Sequence, residues 1–160
     1  MIITPVVSAY SIRPARRSDL DILVAFTLQE GFEAEGTHKD EAAVRRGVEG
    51  AFGDPPLAAY WVAEAPGKGI VASTSVVTEW SDFKGGHYWW IQSLFIVPGH
   101  RGGGLVELLI DHLARSASAA DALDLRLYAH NSNERALRVY RRCGFTVAPY
   151  VIMTLPVGQS

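Results

Sequence analysis

One cysteine, Cys143, stands alone in 160 residues, so no intrachain disulfide can staple the chain. A reducing, cytoplasmic location is the expectation. Long apolar runs are missing too. No stretch approaches the length of a membrane span, and Met1–Tyr10 lacks the basic start and apolar middle of a secretory signal. Charge of one sign is equally scarce: 15 Lys and Arg face 17 Asp and Glu, a net charge of −2 with no like-charge block. Nothing in that balance recruits a nucleic acid or an anionic membrane. His100, beside Arg101, has no partner at metal-ligand spacing, so no metal is expected.

What is present suits one domain spanning 1–160, with a substantial core and no low-complexity linker. Tyr10–Pro14 reads as a short strand ended by proline. Ser18 or Asp19 caps a helix whose buried face is Leu20, Leu23, Val24, Thr27 and Leu28. The polar, glycine-punctuated stretch Glu30–Asp40 reads as a loop carrying Glu30, Glu33 and Glu35. A second helix has Val44, Gly47, Val48, Ala51 and Phe52 on one stripe, stopped by Gly53-Asp54-Pro55-Pro56. Tyr60–Glu64 and Ile70–Thr78 form a hairpin around Pro66–Gly69, and Trp89–Val97 is a buried strand. Leu125–Ala129, Asn133–Cys143 and Tyr150–Leu155 follow as strand, helix and strand. That order suggests a mixed α/β sheet.

The joint after Trp89–Val97 holds the most chemistry. His100-Arg101-Gly102-Gly103-Gly104-Leu105-Val106 leads into a helix with Leu105, Leu108, Leu109 and Leu113 at helical spacing. Glycines there let backbone N–H groups converge at a helix start, where the macrodipole favours an anion such as phosphate. A triphosphate loop would need Gly-Lys-Ser/Thr, and a dinucleotide fingerprint a third glycine or alanine where Glu107 stands. Both are absent. A ligand-free glycine turn is the competing reading.

The helix after Leu125–Ala129 adds Asn133-x-x-Ala136-x-x-x-Tyr140-x-x-x-Gly144-Phe145. Together with Val97-Pro98 and Arg101-Gly102-x-Gly104, in this order, the chain resembles the GNAT superfamily of acyl-CoA-dependent N-acetyltransferases, most strongly over residues 91–145. Gly53-Asp-Pro-Pro56 and Val62-Ala63-Glu64 are similar to its polyamine (diamine, spermidine/spermine) branch. The resemblance implies an α/β (α+β) fold, with a mixed central sheet of six to seven strands, about four helices and a cleft where the central strand and the next splay apart. It implies acetyl-CoA as cofactor, with Arg101, Gly102, Gly103, Gly104, Leu105 and Val106 at the pyrophosphate. Phe95, Ile96 and Val97 would lie along pantetheine, and Asn133 beside the cofactor arm. One of Arg135, Arg138, Arg141 and Arg142 is a candidate for the 3′-phosphate of CoA. A homodimer is expected by analogy.

Two residues depart from the family pattern. Val106 stands where a small residue is usual, and Gln92 where polyamine enzymes carry a glutamate. Tyr140 is the implied general acid, since a phenol keeps its proton at neutral pH. An alkyl amine with a pKa near 10.4 is only about 0.04% neutral at pH 7, which adds roughly 4 to 5 kcal/mol to the barrier unless the site removes the proton. Glu79 and Glu33 are candidate bases, Gln92 a water-orienting residue, and solvated surface glutamates the alternative. Glu30, Glu33, Glu35, Glu79, Trp80 and Gln92 are the candidate acceptor contacts, on the view that carboxylates near a cleft attract a cationic amine. Trp61, Trp89, Trp90 and Tyr128 are further aromatic candidates for its wall. The leading expectation is acetylation of a small cationic amine. Acetylation of a peptide or protein N-terminus and a non-catalytic acyl-CoA sensor are the alternatives.

Overall fold

The computed structural model describes residues 9–158. Its elements are β1 (Ser11–Pro14), α1 (Leu20–Glu35), α2 (Glu41–Glu49), β2 (Ala59–Ala65), β3 (Gly69–Ser81), β4 (Gly86–Ile96), α3 (Leu105–Ala119), β5 (Leu125–Leu127) and α4 (Glu134–Arg142). The strands lie in sequence order, antiparallel from β1 to β4. β5 runs parallel to β4 because α3 carries the chain back across the sheet.

Side-chain alternation sorts the core into two layers. Val62 meets Leu23, Val24 and Val48 of α1 and α2, while its neighbour Ala63 faces Leu105 and Leu109 of α3 on the other side. Leu105, Leu109 and Leu113, four residues apart, form one fully buried ridge of α3. The start of the sheet is tied down by charge. Arg13 donates to Asp19 at 2.8 and 3.2 Å and to Glu64 at 2.8 and 3.0 Å. Asp19 also accepts the Arg16 backbone N–H at 2.7 Å, which shapes the entry to α1.

The irregularity that matters for function is in β4. Ser75 faces Ser93 while Val76 faces Ile91, so Gln92 is an extra residue in the ladder. Such a bulge bends its strand. β5 pairs with β4 only over Trp89–Ile91, ending where the bulge begins. Beyond that point the two strands part.

Three expectations need correction. The stretch Glu30–Glu35 belongs to α1, whose C-cap is Gly36 in the left-handed region (φ 70°); Gly31 is accommodated inside the helix because packing outweighs its weak propensity. The sheet has five strands among the described residues, where six to seven were expected. Tyr150–Leu155 accounts for one missing strand: it is exposed and has no strand partner, and a strand without a neighbour leaves its backbone groups unpaired.

Candidate active site

Where β4 and β5 diverge, a cavity of about 850 Å³ opens between Leu94–Ile96, Tyr128–His130, the start of α3 and the inner side of α4. Its floor at α3 is backbone. Gly102 and Gly104 take φ values of 79° and 87°, a region that disfavours any side chain. Gly104 is the N-cap residue and offers no side-chain cap, so the first N–H groups of α3 have no partner within their own helix. A Cβ at Gly102 or Gly103 would meet nothing within 4 Å. An uncapped helix start, open space before it and a large cavity beside cationic Arg135 and Arg138 fit the diphosphate of a CoA-type ligand.

The wall at β4 is shaped by the splay. With no strand on the β5 side of Leu94, its N–H is taken by Glu30 Oε1 of α1 at 2.9 Å. Phe26 of α1 packs on Phe95 with ring centroids 4.8 Å apart, which holds that helix against the strand. Burial pushes the Glu30 carboxyl from its ordinary 4.5 up to about 7; the Leu94 hydrogen bond opposes the rise and the charge of Glu33 adds to it. Tyr140 is half-buried in the α4 wall of the cavity, its ring edge-on to Phe145 at 5.9 Å. Burial raises the phenol above its usual pKa, and the nearby Glu30 charge raises it further.

Other expected residues have prior engagements. Arg101 donates through Nε to the Ile96 carbonyl at 2.8 Å and through one terminal nitrogen to both Glu33 oxygens at 2.8 and 3.0 Å. It therefore clamps α1 to the end of β4. Asn133 caps α4, accepting the Ala136 N–H at 3.1 Å. Val106 packs against the core beneath the helix start. Arg142 pairs with Glu107 at 3.1 Å and Arg138 with Glu134 at 3.7 Å. Arg135 makes no ion pair among the described residues, although it lines the cavity.

Of the expected cofactor contacts, Phe95, Ile96, Arg101, Gly102, Gly104, Leu105, Val106, Asn133 and Tyr140 line the cavity; Val97 and Gly103 do not. Of the expected acceptor contacts, Glu30 and Glu33 line it, and Glu35, Glu79, Trp80 and Gln92 do not. Glu35 is exposed and paired with Lys39. Glu79 sits opposite Tyr88, six residues before Leu94 and so about 20 Å along β4, where it accepts the Trp90 indole N–H at 2.7 Å. Trp80 is 60% exposed against His87. Gln92 is spent on the bulge. Glu30 as the buried carboxylate went unrecognised. The signal was the helical stripe of Leu23 and Phe26, which continues to Glu30 and Ala34, four and eight residues beyond Phe26, obscured by the glycines that suggested a loop.

The sequence profile of the acetyltransferase (GNAT) family matches residues 23–145, most of the chain. The chain belongs to that family. Enzymes of this GNAT family are acyl-CoA-dependent transferases, and acetyl-CoA is their donor. The streptothricin acetyltransferase of Streptomyces lavendulae is 40% identical over 55 residues, 34% of this chain; the matched stretch spans 29% of that relative's length. A solved structure from Clostridium difficile 630, described as a "possible acetyltransferase", superposes with a TM-score of 0.86 at 26% identity, covering 94% of this chain and 99% of the other. Another, a "predicted acetyltransferase with acetyl-CoA" from Clostridium acetobutylicum, has a TM-score of 0.75 at 20% identity over 91% and 96% of the two chains, and speaks for the fold alone. The narrower polyamine likeness finds no support in these relatives. No helix among the described residues is long and apolar enough to cross a membrane.

Proposed function

We propose that this GNAT protein transfers an acetyl group from acetyl-CoA to a primary amine of a small acceptor, with Glu30 as the proton acceptor and Tyr140 as the proton donor. The observation that carries the reading is the pair itself, a half-buried carboxylate and a half-buried phenol within electrostatic reach of each other across one cavity. Bound acetyl-CoA supplies an activated acetyl thioester. The free N–H groups at the start of α3 would hold its diphosphate, the edge of Leu94–Ile96 its pantetheine arm, and Arg135 its 3′-phosphate.

Glu30 titrating near 7 suits removal of a proton from an incoming ammonium, because a base poised at the working pH is half available and still accepts a proton well. Tyr140 keeps its proton on Oη at neutral pH and can deliver it to a leaving group in the cavity. Glu33, neutralised by Arg101, and Glu79, held by the Trp90 indole outside the cavity lining, are weaker candidates for the base. Pairing of Glu33 and Glu35 also leaves Glu30 as the main unpaired carboxylate of the three, which favours an acceptor with one amine at the site over a polycation. The streptothricin acetyltransferase likeness is in keeping with a small-molecule acceptor. A cytoplasmic location goes with the single cysteine.

The test is thiol release from acetyl-CoA with a panel of antibiotic amines, diamines and amino acids, followed by a pH–rate profile for the best acceptor. Glu30 is protonated below about pH 7, so kcat/KM should rise through that value and then level. Glu30→Gln should remove this acidic limb and lower kcat at least about 100-fold. An unshifted limb would dismiss Glu30 as the base.

A further inference from the structure

The sheet face turned away from α3 carries a group of aromatic side chains that the chemistry at Glu30 and Tyr140 leaves unused. Trp89, Ile91, Leu125 and Leu127 pack with Leu113 of α3, so alternation along β4 and β5 puts Tyr88, Trp90 and Arg126 on the other face. There the side chains interlock. Trp90 and Tyr128 stack with ring centroids 4.4 Å apart and planes 22° apart. The Trp90 indole N–H donates to Glu79 Oε2 at 2.7 Å. The Arg126 guanidinium lies 3.3 Å over the Tyr88 ring and 5.6 Å from that of Trp90. Glu79 and Arg126 therefore fix the indole, and the indole fixes the plane of Tyr128.

Tyr128 alone of this group reaches the cavity, which Glu30 lines from α1. One face of its ring rests on the indole, yet the residue is 62% exposed, so the other face is open. It follows Leu127, whose pairing with Ile91 is the last between β4 and β5. The ring thus stands where the two strands part, at the opposite end of Leu94–Ile96 from the glycine turn that opens α3. A ring held in one plane with one open face is a seat for a second planar group, because offset aromatic stacks attract. An unsupported exposed tyrosine would lose rotational freedom on meeting such a group; this one has lost it already.

We propose that the acceptor is a primary amine tethered to a planar aromatic or conjugated group, with that group stacked on Tyr128 and the amine directed at Glu30. This rests on the acetyl transfer proposed above and narrows its acceptor. Tyr128 sets specificity by direct contact. Trp90, Glu79 and Arg126 are positioning residues behind it, since none of the three lines the cavity.

Calorimetry on the full chain with saturating CoA compares phenethylamine, cyclohexylethylamine and hexamethylenediamine. The saturated ring carries slightly more apolar surface, so burial alone would favour it. Stacking reverses that order: phenethylamine should bind roughly three- to tenfold tighter than cyclohexylethylamine. The difference should vanish in Tyr128→Ala, persist in Tyr128→Phe and shrink in Trp90→Leu, which leaves the ring unsupported. Four results overturn the proposal: no binding of phenethylamine at millimolar concentration, equal affinity for the flat and saturated rings, tighter binding of the diamine, or a flat-ring preference that survives Tyr128→Ala. Thiol release from acetyl-CoA with the same amines separates this proposal from the activity it rests on. A Tyr128-dependent preference in binding without release defeats the transfer and leaves the seat; release without any preference does the reverse.

Discussion

The Glu30 charge acts on the Tyr140 proton because both groups are partly desolvated in the wall of one cavity. A negative Glu30 makes the phenolate harder to form, so the phenol stays a proton donor over the pH range in which the carboxylate is a base. Tyr140→Phe removes the donor and little of the packing against Phe145. Its kcat should fall by about tenfold or more, while affinity for CoA, measured by calorimetry, stays within about twofold. Arg135 offers a separate test of the cofactor end of the cavity. Its guanidinium lacks a carboxylate partner among the described residues, in contrast to Arg138 and Arg142. Arg135→Ala should weaken CoA by roughly five- to tenfold and leave dephospho-CoA almost unchanged, since one exposed charge pair with phosphate is worth about 1 kcal/mol.

At the scale of elements, the bulge at Gln92 and the extra turns of α1 make the site together. The bulge ends the pairing of β4 with β5 and frees the Leu94 N–H; the longer helix brings Glu30 to meet it. The family motifs at Arg101–Gly104 and Asn133–Gly144 were readable because they are local: turn glycines, a cap and a helical stripe within a few residues. Glu30 was not, because its burial depends on where a bulge far along the chain opens the sheet. The entry to α1 depends on Arg13 and its two carboxylates. Arg13→Met strips the charge partner from nearly buried Asp19 and should cost about 2–4 kcal/mol by urea unfolding at pH 7. Arg13 holds the Asp19 carboxyl below its ordinary range. The pair's stabilisation is therefore complete above the unfolded carboxyl pKa of about 4 and is lost as pH falls through the depressed folded value. The gap between variant and parent should narrow below pH 4.

Across the whole molecule, the residue pattern by itself determined the order of strands and helices through α4, the anion-favouring turn and the tyrosine helix, because periodicity and turn chemistry act between near neighbours. Strand-forming character at Tyr150–Leu155 was legible on the same grounds. Tertiary structure alone decided that this segment finds no place in its own sheet and that Arg101 clamps Glu33. It also decided that Glu79 is held on the Trp90 indole and Trp80 against His87, both outside the cavity lining, and that a glutamate expected in a loop is a half-buried base candidate. Each of these depends on which backbone edges and charges distant parts of the chain bring together. Pairing and desolvation are properties of that assembled neighbourhood.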